Sequence, residues 1–231
     1  MSGLPTGIAF LGIIPALIVI YISLKGYEEY FEERKIFVMF MVGIIAGFIA
    51  AIIETLTLGI GILFVILFPF LEQLLKTMIL NLRRFYMKPD TIIYGLCLGL
   101  GFGSIFTAFS IIYQQFIRAD NVTTGIDLYS ISLVLIGSFG IILLHGTTGM
   151  LIGYGISKGK LLRCFSYTII LQIPFTGLDV VTNYLNAEYL QVLTVGYGVV
   201  VYWLAIKRIL PKVLPENQRR KRTKKTTKEK T

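Results

Sequence analysis

The 231-residue chain is 55% hydrophobic, carries a formal charge of +9 and contains two cysteines and one histidine. Its mean hydropathy of +0.75, gathered in long apolar blocks, excludes an ordinary soluble domain and marks a polytopic membrane protein. Two cysteines make no disulfide framework, and one histidine without a nearby cysteine makes no zinc site.

About 20 residues cross a hydrocarbon core as helix. Seven spans follow, at about 4–24, 36–56, 59–80, 92–117, 129–156, 162–180 and 188–210. An alternating barrel pattern is absent, and helices satisfy every backbone group inside the bilayer, so the expected fold is all-α. Short connections predict one seven-helix bundle over 1–210, followed by a disordered basic tail over 211–231.

The first segment has no basic flank, and its apolar stretch exceeds the roughly 7–15 residues of a signal peptide, so it reads as a span. The following KGYEEYFEERK stretch mixes both charges and reads as a solvated turn. In the third segment, LFPFLEQLLKTMIL, Glu72, Gln73 and Lys76 fall at mid-span depth. Ionisable groups in hydrocarbon cost about 2.5–3.5 kcal/mol each on insertion scales, so they face other helices or a polar cavity. Glu72 and Lys76 are four apart and share a helix face, where they can pair. The alternative makes Glu72 a general base for water, as an intramembrane hydrolase needs. Pro69 removes a backbone hydrogen bond one turn earlier and is a candidate kink.

The fourth segment carries Gly95, Gly99 and Gly103 at four-residue spacing, continued by Thr107. A repeated small-xxx-small register offers a smooth face to another helix. The fifth segment holds His145 in LLHGTTGMLIGYG, and the sixth places Gln172 level with it. The histidine can serve as a catalytic group, a proton relay or a hydrogen-bonding link between helices, and the link is the simplest of these. The mid-span polar set is therefore Glu72, Gln73, Lys76, His145 and Gln172, with Thr176 a further candidate. Asp179 and Asn183 lie nearer the outer surface.

All Lys and Arg except Lys76 and Arg118 fall in alternate connections or in the stretch from Lys207 to Lys230. The positive-inside rule places that side in the cytoplasm and the N-terminus outside. Asn121-Val-Thr123 is then a candidate glycosylation sequon in an outside loop, while Cys97 and Cys164 lie near cytoplasmic helix ends, where thiols stay reduced. The tail QRRKRTKKTTKEK matches a nucleic-acid or nuclear-signal pattern. Beside a span it is more simply a topology determinant drawn to acidic lipids, at about 1 kcal/mol per basic residue. Nucleic acid is not an expected partner.

The segments GLGFGSIFTAFSIIY, IILLHGTTGMLIGYG and LQIPFTGLDVVTNYL resemble, in order and spacing, the anterior-pharynx-defective family, the non-catalytic scaffold subunit of γ-secretase. That family has seven spans with an outside N-terminus and a cytoplasmic C-terminus. Its GLxFG segment is matched at Gly99 and Gly103, with Thr107 in place of a third glycine, and its IILLH segment at Ile141 to His145. Its second intramembrane histidine falls on Gln172. Its QExxR segment looks like Glu72-Gln73-Leu74-Leu75-Lys76, with acid and amide exchanged and lysine for arginine. The resemblance implies a scaffold that uses no cofactor and binds a presenilin-like aspartyl protease with nicastrin-like and presenilin-enhancer-like subunits. It also implies a role in intramembrane proteolysis in the endoplasmic reticulum, Golgi, endosomes or plasma membrane of a eukaryote.

A more distant likeness is to the PrsW-type and CAAX-processing intramembrane proteases, whose EExxK segment is similar to Pro69 through Lys76. Catalytic residues under that reading would be Glu72 and His145. The second glutamate of EExxK is Gln73 here, the glutamate expected after GxGFA is Phe106, and the late HxxxN segment is Gln172…Thr176 or Asp179…Asn183. Loss of one oxyanion donor can cost about 10²–10³-fold in rate, so several losses describe a pseudoenzyme. A transporter would show inverted repeats with broken helices, and Pro174 is the single candidate break.

Overall fold

The computed structural model describes residues 10–57, 63–116, 128–185, 188–215 and 218. Within them lie α1 (Phe10–Leu24), α2 (Glu33–Thr57), α3 (Phe64–Leu80), α4 (Thr91–Phe116), α5 (Leu128–Ser157), α6 (Leu161–Leu185) and α7 (Gln191–Arg208). No strand occurs among the described residues, as the apolar block pattern predicts. Among the described residues five stretches are long and apolar enough to cross a bilayer: Glu33–Thr57, Thr91–Phe109, Leu135–Ser157, Leu161–Thr182 and Gln191–Val213. These are the lengths and composition of an all-α membrane protein. Helix α1 is apolar but covers only 15 residues, and α3 covers 17 around Glu72, Gln73 and Lys76. The predicted first and third spans continue onto residues outside the described set. Arg118, Asn121 and the stretch from Arg219 onward lie outside it too.

Helix α4 is the axis of the bundle. Of its apolar stretch 89% is buried, against 72% for α5 and 17% for α7, so α4 and α5 form the centre and α7 the rim. The cause is the absence of side chains where helices cross. A Cβ on Gly99 would lie 2.0 Å from the His145 carbonyl oxygen, and one on Gly95 would lie 2.3 Å from that of Gly149. Helices α1 and α2 approach α4 in the same way, through Gly12 against the Ser104 carbonyl and Gly43 against that of Leu98. Backbones this close gain dispersion contacts and Cα–H···O interactions that bulkier residues forbid.

The basic connections gather at one end of the bundle. The Glu32 amide donates to the Tyr94 hydroxyl at 3.2 Å, and Tyr30 donates its hydroxyl to Gln218. Lys212 lies 4.2 Å above the Tyr154 ring, and Met87 approaches Gly159. At this end α5 closes with Gly159 in the left-handed region (φ 64°). The Lys160 amide bonds the Gly155 carbonyl at 2.7 Å, the pattern of a helix stop built on a left-handed residue. Gly159→Ala is expected to cost about 1 kcal/mol, the strain of a side chain in this region, read as a lower midpoint of thermal unfolding.

The solvated turn between α1 and α2 is held by Glu28, whose Oε1 accepts from the Gly26 amide at 2.8 Å. That bond holds the Glu28 carboxyl below the usual glutamate range. The bond is therefore complete at neutral pH and is lost as pH falls through and below that range. An NMR titration should show the Gly26 amide shifting with an apparent pKa under 4.5, the ordinary value for this side chain, and Glu28→Gln should remove the transition.

Candidate functional site, a closed polar ring between three helices

The mid-span polar residues named from the sequence do converge. Glu72, Gln73 and Lys76 of α3 meet His145 of α5 and Gln172 of α6, and every one of them is buried. Lys76 Nζ lies 2.7 Å from His145 Nδ1 and donates to Thr148 Oγ1 at 3.0 Å and to Gln73 Oε1 at 3.4 Å. Gln73 Nε2 donates to Gln172 Oε1 at 3.4 Å, and Gln172 Nε2 to Glu72 Oε2 at 2.9 Å. His145 Nε2 stands 3.5 Å from Glu72 Oε1 and closes the ring.

The expected pairing of Glu72 with Lys76 inside α3 is replaced by this longer circuit. The two side chains share a face, as four-residue spacing requires, but Lys76 spends its three donors on His145, Gln73 and Thr148. Thr148 in turn donates to the His145 carbonyl at 3.1 Å, so its oxygen is left to accept from lysine. An ammonium with three acceptors is a satisfied ammonium. His145 Nδ1 accepts from it, which assigns the ring proton to Nε2, facing the carboxylate. Counted in their ordinary ionised forms, Lys76 and Glu72 leave the set neutral, which lowers the cost of burying each.

The histidine is fixed by aromatics of α4. Phe106 stacks on it with centroids 5.3 Å apart and Phe102 tilts against it at 4.9 Å, while Lys76 Nζ sits 4.5 Å from the Phe102 ring centroid. Neither phenylalanine was a candidate from the sequence. Their four-residue spacing places them on one face, but nothing local shows which helix that face meets. Gly103 leaves the room for this arrangement, since a Cβ there would lie 3.1 Å from His145 Cβ.

The glycine series acts differently from a free docking face. Gly95, Gly99 and Gly103 meet α5 of the same chain, whereas Thr107 turns toward Gly12 of α1. The helix period of 3.6 rotates every fourth residue by about 40°, so a four-residue repeat drifts off the α5 contact within three turns. A partner helix cannot occupy a face already filled.

A hollow of about 410 Å³ lies at the basic end around Gly26, Glu28 and Tyr30, and a cavity of about 30 Å³ lies between α5, α6 and α7. No ring member lines either one. Among the described residues no group of three or more His, Cys, Asp or Glu side chains is placed to hold a metal. The chain matches no protein-family model, no curated protein and no solved structure.

Proposed function

We propose that the chain is a non-catalytic, seven-span membrane scaffold with an outside N-terminus and a cytoplasmic C-terminus, acting like the scaffold subunit of γ-secretase. The observation that carries this reading is the buried polar ring: His145 Nδ1 meets Lys76, Glu72 Oε2 accepts from Gln172, and Glu72 Oε1 stands 3.5 Å from His145 Nε2, with Glu72 only 1% exposed. A hydrolase needs a water and a scissile bond within hydrogen-bonding reach of its base, and the burial of Glu72 among these partners speaks for a structural role instead. The gathering of basic connections at one end supports the orientation through the positive-inside rule. The two shorter apolar helices, α1 and α3, complete the count of seven.

Partner helices would then lie on the outer faces of α6 and α7, where Tyr167, Ile170, Val200 and Trp203 are exposed. The partner class follows from the resemblance: a presenilin-like intramembrane protease with nicastrin-like and presenilin-enhancer-like subunits, in endomembranes or the plasma membrane. A degenerate PrsW-type or CAAX-type protease is the second reading, favoured by Glu72 Oε1, which accepts no hydrogen bond.

Affinity purification of the tagged chain from its native membranes in gentle detergent, followed by mass spectrometry, decides between them. The expected result is a stoichiometric presenilin-like protease that is lost when Val200 and Trp203 are changed together to bulky charged residues. A chain recovered alone that cleaves membrane peptides, and stops cleaving as Glu72→Gln, sinks the scaffold reading.

A further inference from the structure

At the basic end of the bundle, α6 begins against the end of α5. A Cβ on Gly155 would lie 2.7 Å from Cys164 Cβ and 3.3 Å from Leu161 Cα, so the two helices touch there. Three cations converge on this crossing. Lys160 and Arg163 flank the first residues of α6 and are exposed. Lys212 comes from the turn after α7 (Leu210–Val213), which the buried Leu210 and Val213 hold in place. Its Nζ lies 4.2 Å from the Tyr154 ring centroid, and all three charges are close enough to act electrostatically on the Cys164 thiol. Among the described residues none of the three pairs with a carboxylate. The first helical bond of α6 runs from the Cys164 amide to the Lys160 carbonyl at 3.2 Å, so the amides of residues 161–163 have no acceptor within the helix. Like charges gathered this way repel, and an anion between them relieves the repulsion.

We infer that this crossing binds the headgroup of a phospholipid that carries at least two phosphate groups, through Lys160, Arg163 and Lys212. Three cations exceed the single net charge of phosphatidylserine. They match a phosphodiester together with a phosphomonoester, which bears a charge of about −1.5 to −2 at neutral pH. Basic residues gathered between membrane helix ends recognise headgroups of this kind. A lipid, rather than a soluble phosphate, follows from the surface just inside the bilayer. Only 28% of the apolar stretch of α6 is buried, and Leu162 beside Arg163 is 82% exposed, so acyl chains have a face to lie on. The site is separate from the basic stretch beyond Gln218, whose attraction to acidic lipids needs no crossing of helices. A bound headgroup would tie the end of α5, the start of α6 and the turn after α7 together.

The test is native mass spectrometry of the full chain in detergent with an equimolar mixture of phosphatidylinositol monophosphate, phosphatidylserine and phosphatidylcholine. The expected result is retention of phosphatidylinositol monophosphate in preference to the other two. Arg163→Gln with Lys212→Gln should weaken that retention about thirtyfold, two basic residues at about 1 kcal/mol each. Changing Arg219, Arg220, Lys221 and Arg222 together to Gln should leave it in place. Should Lys212→Gln disturb the packing on Tyr154, Lys160→Gln with Arg163→Gln, both at exposed positions, reports instead. Soluble inositol bisphosphate at the same concentration should not displace the lipid. Equal retention of the three lipids overturns the assignment, as does a preference that survives the variants at the crossing or vanishes with those beyond Gln218. Displacement by the soluble headgroup overturns it too, because the site would then bind an anion without lipid contacts.

Discussion

Gly99→Leu should yield no monodisperse protein, in the absence of any partner. A Cβ at position 99 already falls 2.0 Å from the His145 carbonyl oxygen and 2.7 Å from its carbon, both backbone atoms of α5. Neither can rotate aside, so the two helices must separate. Overpacking a core costs about 1–3 kcal/mol where side chains can shift, and a backbone clash sits at or above the top of that range. Gly99→Ala is therefore expected to cost at least about 3 kcal/mol, against a total stability of about 5–15 kcal/mol typical of native proteins. Leucine adds bulk on the same axis and exceeds what remains. Gly196 of α7 is the internal control, because a Cβ there meets nothing within 4 Å. Size-exclusion chromatography of detergent-solubilised Gly99→Leu and Gly196→Leu decides the matter. Equal recovery of the two would show that α4 and α5 do not cross where the glycines place them.

Lys76→Met should destabilise the bundle by about 3–5 kcal/mol, the cost of stripping the partner from a buried charge. The lost hydrogen bonds do not dominate this figure. Polar contacts between membrane helices average about 0.6 kcal/mol and reach about 1.7, whereas Glu72 would be left as a lone carboxylate at 1% exposure. Charge balance wins, and that makes a specific demand. Glu72→Gln should be destabilising in the wild-type background, yet the double variant Glu72→Gln with Lys76→Met should recover most of the loss, because it removes both charges together. A double-mutant cycle by denaturant titration measures the coupling. Additive losses would mean that the two residues do not belong to one neutral set. The same cycle speaks to function, since a structural ring is rescued by the double variant and a catalytic carboxylate is not.

Which residues could meet was legible in the chain, and which did meet was partly so. The four-residue spacing of Glu72 and Lys76 sets them on one face, and the depth of His145 and Gln172 in their apolar runs sets all four in one layer. Nothing local shows that lysine reaches across to His145 and Thr148. That choice depends on the rotation of α5 against α3, which also brings Phe102 and Phe106 onto the imidazole. The glycine series of α4 was legible as a contact surface, while its occupant was not. A helix face advertises smoothness equally to its own chain and to another. Asp179, Gln191 and Thr194 come from segments whose order in the sequence says nothing of their shared cavity.

Hydropathy and helical periodicity are local quantities, and they suffice for the all-α class, the long apolar helices and the shared layer of the polar groups. Helix order, rotation and closeness are set by summed packing across α4, where backbone meets backbone at glycine. Such backbone contacts, like Gly99 with His145, and side-chain bonds, like Gln172 with Glu72, form between residues about 40–100 positions apart, so no window of sequence contains both partners. The polar ring and the filled glycine face both arise at that level, through the requirement that buried polar groups find partners while apolar helices pack without gaps.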